Sequence, residues 1–434
     1  MSSSTSSFLW RANLIPIAIV SFYILFVALL TQPSFQAHNV FLHTINWPFS
    51  NLEDPSETKG ISPGQARNVR IKSSDGVEIG AWHLLPKDLW KKKTETARSE
   101  ERSEEEEFDQ ALLARPTVLY FHGNAMNRAA PFRVEAYGQL TNSSVSSQGG
   151  LNVVAIDYRG FGDSTGHPTE QGVLCDARAA WRWVMHRRRL ALQRNQLAAR
   201  ATTPVSFLEQ GGGIYLVGQS LGTGIASRLM LDLARVDRPP EAIFLVAPYT
   251  SIFALLSSYK LGGLIPILWP LNVWQYLSDL ADRSLTTRFE SDKAIRNLFA
   301  ISPRHGKLQQ LQLEALPHTL DVETLKSQFG LDEEQETHIE GAFARKRPHI
   351  IVAHADDDPV IPHTHGRSLF NTARVAAGQS EEDVTVQETS WGHIYSTTDE
   401  SGRKSALIRN KQGGHNGVPE STIEAWARLV SLRP

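Results

Sequence analysis

A serine flanked by two glycines is the first feature of this chain whose spacing could do chemistry. Gly218-Gln219-Ser220-Leu221-Gly222 matches the pattern G-x-S-x-G. In that pattern the serine sits on a sharp strand-to-helix turn, so that its hydroxyl projects as a nucleophile. The apolar run Ile214–Val217 precedes the motif, and the apolar-periodic segment Leu221–Leu233 follows it. This context predicts that Ser220 is a nucleophile, with an ordinary Gly-rich turn as the alternative.

Attack by such a serine on a carbonyl creates an oxyanion, which needs backbone N–H groups that already point at it. One expected donor is Leu221, directly after the nucleophile. The other is expected at Asn124, in the loop that follows His122-Gly123. We expect His122 itself to brace this loop, because the base in such an arrangement comes late in the chain.

Three adjacent aspartates, Asp356, Asp357 and Asp358, are candidates for the acid that supports the base. They follow the apolar run His349–Ala353. One of them must accept a hydrogen bond from the base imidazole and hold its tautomer. Adjacency alone does not separate the three, and we expect the other two to cap the following helix.

The base is expected to be a histidine that follows the acid. His363 and His365 are too close to the aspartates in sequence to return to the serine. His393 lies between two strand-like stretches, and His415 lies in a Gly-rich loop between a strand and an amphipathic segment. A strand, a loop bearing histidine and a terminal helix is the expected end of the chain order Ser–Asp–His. We therefore favour His415, with His393 as the alternative base.

The elements that must position these residues are short apolar runs alternating with helical patterns. Continuous apolar strands separated by helices predict an α/β fold with a mostly parallel sheet covered on both faces. Asn68–Lys72 and Val77–Leu85, split by Ser74-Asp75-Gly76, predict a β-hairpin before them. The predicted parallel strands are Thr117–Phe121, Val153–Ile156, Ile214–Val217, Ile243–Val246 and His349–Ala353.

Three stretches interrupt this alternation. Residues 91–110 are a charge run, predicted to be a solvated surface insertion because like charges repel. Residues 187–213, basic and then Gly-rich, predict a loop insertion. Residues 249–345 predict a helical cap insertion. Its apolar segment Leu261–Trp274 is interpreted as a lid or lipid-facing cap, with an ordinary packed insertion as the alternative.

The N-terminus carries an uncharged apolar run, Leu14–Leu30. About 20 such residues cross a bilayer. We predict a tail at 1–13, a transmembrane anchor at 14–31, a linker at 32–65 and a catalytic domain at 66–434. A cleaved signal peptide and a buried core helix are the alternatives. The run exceeds the usual apolar region of a signal peptide, about 7–15 residues, and lacks a good cleavage site.

The charges around the apolar run predict its orientation. Arg11 precedes it, and Glu53, Asp54 and Glu57 follow it. The positive-inside rule then places the N-terminus in the cytosol and the bulk of the chain outside or in a lumen. The glycosylation sequon Asn142-Ser143-Ser144 agrees with this orientation.

Composition excludes several other classes of protein. The chain has 434 residues, 41% of them hydrophobic, which is typical of a globular protein. A net charge of −2 argues against nucleic-acid binding. Cys175 is the only cysteine, which rules out an intrachain disulfide and a thiolate zinc site.

Four pieces of the sequence carry a resemblance to a known family. They are FHGNA (121–125), DYRGFGDSTG (157–166), GQSLGTG (218–224) and HADDDPVIP (354–362). By these pieces, residues 110–434 resemble the membrane-anchored α/β-hydrolase-domain lipases that cleave monoacylglycerols and lysophospholipids, including lysophosphatidylserine. The resemblance implies an α/β-hydrolase fold, Asp358 as the acid, and an active site facing a lumen such as that of the endoplasmic reticulum. The long stretch between Asp358 and His415 departs from shorter members and keeps His393 open.

These observations predict a membrane-bound serine hydrolase that cleaves lipid esters through an acyl-enzyme, without metal or cofactor. The expected partners are a lipid substrate and the bilayer. A protein thioesterase or a serine peptidase is an alternative, because the same triad serves several acyl groups. A catalytically inactive hydrolase domain acting as a membrane scaffold is a third hypothesis.

Overall fold

A single mixed sheet organises the described part of the chain. The computed structural model describes residues 3–49, 51–96, 103–199, 212–258, 273, 275–301, 313–331 and 347–432. The strands are β1 (Ala66–Lys72), β2 (Glu78–Leu84), β3 (Thr117–Phe121), β4 (Asn152–Ile156), β5 (Ile214–Gln219), β6 (Ala242–Val246), β7 (His349–Ala355), β8 (Thr385–Glu388), β9 (Gly392–Thr398) and β10 (Lys404–Asn410).

Helices flank this sheet and join its strands. The helices of the described ranges are α1 (Ser3–Leu30), α2 (Pro33–Phe41), α3 (Lys87–Thr96), α4 (Glu104–Ala114), α5 (Pro131–Leu140), α6 (Glu170–Ala199), α7 (Leu221–Arg235), α8 (Ile252–Ser258), α9 (Gln275–Ser284), α10 (Ser291–Ala300), α11 (Val322–Phe329), α12 (Thr364–Ala376) and α13 (Glu420–Leu429).

The sheet is parallel at its centre and antiparallel at both edges. Its order is β1-β2-β4-β3-β5-β6-β7-β10-β9-β8. The run from β4 to β10 in that order is parallel. The hairpin β1–β2 adds antiparallel strands at one edge, and β9 and β8 add them at the other. The predicted hairpin and mostly parallel α/β sheet are confirmed.

Two apolar layers cover the two faces of the sheet, because successive side chains of a strand point to opposite faces. In β5, Leu216 belongs to one layer and Val217 to the other. Helices α6 and α7 cover the Leu216 face, where Ile225 is buried. Helices α5 and α13 cover the opposite face, where Trp426 stacks on Phe244.

In the parallel centre of the sheet, the carboxyl ends of three strands lie at the same end of the sheet. Gln219 at the end of β5 pairs with Val246 of β6. Val246 pairs in turn with Ala353 of β7, and Ala355 pairs with Asn410 at the end of β10. The carboxyl ends of β5, β7 and β10 therefore lie side by side, which is where open α/β sheets place their ligands.

The predicted linker at 32–65 differs from what the structure shows. Its first residues form α2, and the ring of Phe41 is completely buried in the main apolar layer. Gln36 is also buried, with its side chain bonded to the backbone of Ser284 and Thr286. Packing against residues far along the chain makes this segment part of the catalytic domain, which local composition does not reveal.

The predicted solvated insertion at 91–110 is wrong for its last residues. Helix α4 buries Phe108 and Asp109, and Asp109 forms an ion pair with Arg187 at 2.6 Å. The charge of Asp109 is therefore compensated by an arginine of a distant element, whereas Glu104 and Glu105 at the start of the helix are exposed to solvent. Residues 97–102 lie outside the described residues.

The predicted loop at 187–213 is also shorter than expected, because α6 continues through Arg187 to Ala199. Residues 200–211 lie outside the described residues. In the predicted cap insertion, α10 buries Ala294 and Ile295 in the main apolar layer, so this part is packed core and not a lid. Most of the apolar segment 261–274 lies outside the described residues, and its role as a lid stays a prediction.

Helix α1 exposes apolar side chains along its described length. Ile15 is 64% exposed and Phe22 is 72% exposed. Across the ranges described, no helix was found with both the length and the apolar character needed to cross a membrane. The transmembrane anchor at 14–31 stays a prediction from the sequence.

Burial of His349 at the start of β7 generates a prediction about pH. Its Nδ1 accepts the Lys404 N–H at 3.0 Å, and burial, followed by the charge of Arg403, lowers its pKa from 6.5 to about 4. Because the folded-state pKa is lowered, the unfolded chain binds more protons between these values. This histidine therefore stabilises the fold above its unfolded pKa, and that stability is lost as the pH falls toward about 4.

We expect His349→Asn, whose Oδ1 takes the place of Nδ1 and still accepts the Lys404 N–H, to reduce this acid sensitivity. Between about pH 7 and about pH 4.5, the variant should lose about 2 kcal/mol less unfolding free energy than the wild type. Urea titrations of the full chain at several pH values measure this difference. Parallel pH profiles for the two proteins would contradict the assignment.

Candidate active site

Ser220 occupies a strained turn between β5 and α7. Its φ of 50° and ψ of −118° lie in a region that residues other than glycine seldom adopt. Such strain costs about 1–3 kcal/mol and persists only where surrounding contacts hold it. Here the Ser220 N–H donates to Val246 O at 2.9 Å, and its carbonyl accepts from the N–H and hydroxyl of Thr223. The turn directs the serine hydroxyl away from the sheet.

The glycine on the helix side of Ser220 is required by close backbone approach. A Cβ at Gly222 would lie 2.0 Å from the carbonyl oxygen of Phe121, the last residue of β3. No side chain fits at that distance. The spacing G-x-S-x-G therefore reflects the contact between α7 and the neighbouring strand, which brings the loop after β3 beside the serine.

His415 lies between Ser220 and Asp358. Its Nε2 is 2.9 Å from Ser220 Oγ, and its Nδ1 is 2.9 Å from Asp358 Oδ2. With Nδ1–H donating to the carboxylate, Nε2 is left to accept the serine hydroxyl proton. This is the relation that a nucleophile, base and acid require.

The loop that carries His415 is held on both sides. The Gly414 N–H donates to Asp357 Oδ1 at 2.8 Å. On the other side, Gln219 Nε2 donates to Asn416 O at 3.1 Å, and the Tyr120 hydroxyl fixes that amide through Gln219 Oε1. The imidazole is therefore positioned by the ends of β5 and β7 and not by its own loop alone.

The side chain of Asp358 is fully buried yet remains ionised. Burial by itself raises the pKa of this carboxyl, but hydrogen bonds from His354 and His415 outweigh burial and hold the pKa well below its usual range. The backbone N–H groups of Val360 and Ile361 also donate to Asp358 Oδ1. The carboxylate therefore accepts the His415 N–H throughout the neutral pH range.

The three adjacent aspartates have three different contacts. Asp358 accepts a hydrogen bond from His415 Nδ1, and Asp357 accepts one from the Gly414 N–H. Asp356 forms an ion pair with Arg409 of β10. The expectation that the spare aspartates cap the next helix is wrong. Helix α12 begins after His363 without a side-chain cap.

His393 lies away from this cluster, within β9. Its backbone pairs with Arg409 of β10 on one side and Glu388 of β8 on the other. Its ring lies 6.2 Å from the ring of Tyr395. Because the pairing of β9 with β8 and β10 fixes His393 in place, its imidazole is not available to Ser220. The imidazole of His415, which is carried by a loop, does contact the serine.

The loop after β3 lies directly beside the nucleophile. A Cβ at Gly123 would be 3.2 Å from Ser220 Cβ. The guanidinium of Arg133, a buried residue of α5, donates hydrogen bonds to several backbone carbonyls of this loop. The Leu221 N–H, in the first turn of α7, has no acceptor within the helix. The carbonyls that accept from Arg133 are Gly123 at 3.1 Å, Asn124 at 3.3 Å, Ala125 at 2.9 Å and Asn127 at 2.8 Å.

His122 braces the loop, as the sequence predicts. Its Nε2 lies 3.0 Å from Asp157 Oδ1, and its carbonyl accepts the Tyr158 hydroxyl at 2.8 Å. Burial and the neighbouring Arg133 lower the pKa of the imidazole. Asp157 also pairs with Arg128 at 2.6 Å, so a buried charge network underlies the loop.

The sequence pattern gives no role to two contributing residues. His354 begins the HADDDPVIP segment, and its Nε2 lies 3.3 Å from Asp358 Oδ2, but the motif does not show which of its side chains binds the acid. Arg133 is an ordinary helical arginine by pattern. In the described part of the chain, no group of three or more His, Cys, Asp or Glu side chains could hold a metal ion.

Comparison with known proteins identifies the family. The model for the alpha/beta hydrolase family matches residues 118–401. The chain belongs to this family. The match spans β3 through β9 and includes Ser220 and Asp358.

Curated relatives extend the comparison beyond the family model. The lysophosphatidylserine lipase ABHD12 of Rattus norvegicus is 28% identical over 383 residues, which are 87% of this chain and 74% of that protein. The protein of the same name from Danio rerio is 30% identical over 293 residues, which are 67% of this chain and 66% of that protein. The resemblance to lipases of this fold is confirmed.

Among solved structures, an alpha-beta hydrolase from Vibrio vulnificus superposes with a TM-score of 0.43 and 13% identity. The superposition covers 85% of this chain and 81% of that one.

The contacts of the three aspartates predict unequal effects on ester hydrolysis. Asp358→Asn should lower kcat/KM by about 10⁴-fold, because an amide in that place favours the wrong imidazole tautomer. Asp357→Ala should cost about tenfold through a looser His415 loop. Asp356→Asn, the matched control, should stay within about threefold, because surface ion pairs contribute little. Steady-state kinetics on a soluble ester measures all three, and equal losses would contradict the assignment.

Proposed function

We propose that this α/β hydrolase cleaves lysophospholipids or monoacylglycerols with Ser220 as nucleophile, His415 as base and Asp358 as acid. Its family and its relatives make the chain a lipid ester hydrolase. The observation that carries the catalytic assignment is the position of one imidazole within 2.9 Å of both the serine hydroxyl and the buried carboxylate.

The proposed reaction begins with proton transfer from Ser220 Oγ to His415 Nε2. The serine oxygen attacks the ester carbonyl carbon, and the carbonyl oxygen becomes an oxyanion that the N–H groups of Leu221 and Asn124 stabilise. When the carbon–oxygen bond to the alcohol breaks, His415 returns its proton to the leaving oxygen. The fatty acyl group is then an ester of Ser220.

Water completes the cycle by the same steps. His415 takes a proton from water, the resulting hydroxide attacks the acyl-enzyme, and the fatty acid leaves as Ser220 regains its proton from His415. Asp358 holds the Nδ1–H throughout and stabilises the imidazolium while it carries the second proton. No step needs a metal or an organic cofactor.

The lipid substrate class follows from the relatives together with the exposed apolar helix α1. A lysophospholipid or monoacylglycerol has one acyl chain and an ester within reach of the bilayer surface. We propose that α1 attaches the chain to that surface, in the single-pass arrangement predicted from the sequence, with the catalytic domain in the lumen of the endoplasmic reticulum. Ile15, Phe22 and Ile24 are among its exposed apolar side chains.

The choice of base can be tested with a matched pair of histidine variants. His415→Ala should lower kcat by about 10⁴-fold to 10⁶-fold, as removal of a triad base does, and Ser220→Ala should do the same. His393→Ala should keep kcat within about threefold of the wild-type value, because His393 belongs to strand β9 and its ring is not part of the proposed triad. Kinetics with lysophosphatidylserine in mixed micelles gives the comparison. A larger loss for His393→Ala than for His415→Ala would overturn the assignment.

A substrate panel tests the proposed class. We expect turnover of lysophosphatidylserine or monoacylglycerol at least 100-fold faster than that of an acyl-thioester peptide or an amide of equal chain length. Faster thioester cleavage would favour a protein thioesterase, and faster amide cleavage would favour a peptidase. Absence of fluorophosphonate labelling at Ser220 would favour the inactive scaffold.

Membrane attachment through α1 can be tested separately. Replacing both Ile17 and Phe22 with Asp should release the chain from microsomes under alkaline wash, because each buried charge costs about 2.5–3.5 kcal/mol in a bilayer. Leu197→Asp is the matched control, since Leu197 is 80% exposed on α6. Release of both variants, or of neither, would contradict attachment through α1.

A further inference from the structure

The segment that follows α2 runs along the loop that carries Asn124. The Ala125 N–H donates to the Phe41 carbonyl at 2.9 Å, and the Met126 N–H donates to the Ile45 carbonyl. The Asn127 side-chain amide reaches the Trp47 carbonyl at 3.4 Å. Residues Phe41–Trp47, called here the N-terminal segment, therefore bind three successive residues of this loop.

These bonds act where the loop is strained. Ala125 and Met126 both have positive φ, at 55° and 57°. For a residue other than glycine, a positive φ is unfavourable by about 1–3 kcal/mol, so the conformation persists only if neighbouring groups hold it. Arg133 holds the carbonyl side of the loop, and the N-terminal segment holds the two strained N–H groups.

The N-terminal segment is itself anchored to the catalytic domain. Phe41 is completely buried, with its ring edge-on to Phe161 at 6.5 Å and to Phe289 at 6.4 Å. Gln36, one turn earlier in α2, binds the Ser284 carbonyl at 2.7 Å and accepts the Thr286 N–H at 2.8 Å. The Phe41 carbonyl therefore has a fixed position when it accepts the Ala125 N–H.

Fixing Ala125 fixes its neighbour Asn124, whose N–H is the proposed oxyanion donor. A peptide carbonyl and the N–H of the same plane point in opposite directions, and the Gly123 carbonyl is directed to Arg133. The N–H of Asn124 shares that plane and therefore points away from Arg133. Any rotation of the strained pair would turn this donor.

From these contacts we infer that the N-terminal segment is a positioning element for the oxyanion donor, with Phe41 as its anchoring residue. The inference rests on the proposed function of Ser220 and Asn124. It also joins α1 to the catalytic step, because α2 and the N-terminal segment follow α1 directly in the chain. The loop that follows β3 and carries Asn124, called here the oxyanion loop, is thus bound by a segment that continues from α1, the helix that we propose attaches to the membrane.

The test uses the full chain in detergent and a water-soluble ester, p-nitrophenyl butyrate, so that lipid binding does not enter. Phe41→Ala should lower kcat by about tenfold to 100-fold with KM within about threefold, because a misplaced oxyanion donor affects the transition state and not the bound ester. Phe41→Leu should restore most of the loss. Val375→Ala is the control, because Val375 is 63% exposed on α12 and should leave activity unchanged.

The decisive readout is inhibition by an alkyl trifluoromethyl ketone, which places an oxyanion next to Ser220. Its Ki should rise by the same factor as kcat/KM falls across the variants. Kinetics are expressed per active site titrated with a fluorophosphonate. If Phe41→Ala only lowers the number of active sites, with kcat and Ki unchanged for those remaining, the residue is merely structural and the inference is overturned.

A second pair of variants keeps the test open if Phe41→Ala does not fold. Ile45 is 50% exposed, and its contribution to the loop is its carbonyl. Ile45→Gly should loosen the backbone and raise Ki about threefold relative to Ile45→Ala, which has the same carbonyl on a stiffer backbone. Equal Ki values for this pair would overturn the inference. Full activity of Ser220→Ala would instead overturn the proposed function itself.

Discussion

The contact on which the rest of the structure depends is the imidazole of His415 between Ser220 and Asp358. These groups are 195 and 57 residues from the histidine in sequence, yet each lies 2.9 Å from one of its nitrogens. The parallel pairing of β5, β6, β7 and β10 brings them together, because strand ends in register deliver their loops to the same edge. A slip of one residue in that register would reverse the two apolar layers, so the core also fixes the site.

Strain is concentrated around this contact. Ser220, Ala125 and Met126 all have positive φ, and each is held by groups from other parts of the chain. For the serine that group is the Val246 carbonyl of β6, helped by Thr223 of its own turn, and for the loop they are the N-terminal segment and Arg133. Since each strained residue is unfavourable by about 1–3 kcal/mol, the supporting contacts belong to the site as much as the side chains that react.

Two buried carboxylates, each beside a histidine, serve different purposes in this site. Asp157 lies between His122 and Arg128 beneath the oxyanion loop, where neither group reaches Ser220. Asp358 lies between His354 and His415, and only His415 continues to the serine. Both carboxyls keep a lowered pKa despite burial, because paired donors outweigh desolvation. The charge pattern alone therefore does not distinguish the bracing histidine from the proposed base.

The sequence by itself determined the features that depend on neighbouring residues. The strand before Ser220, the turn glycines and the alternation of apolar runs with helices are local, so the fold class and the proposed nucleophile follow from pattern. Other features were decided only by tertiary structure. Both His393 and His415 fit the sequence, and the β9 ladder removes the first. The burial of Phe41 in a predicted linker likewise depends on rings contributed by residues more than 100 positions away, which no local pattern encodes.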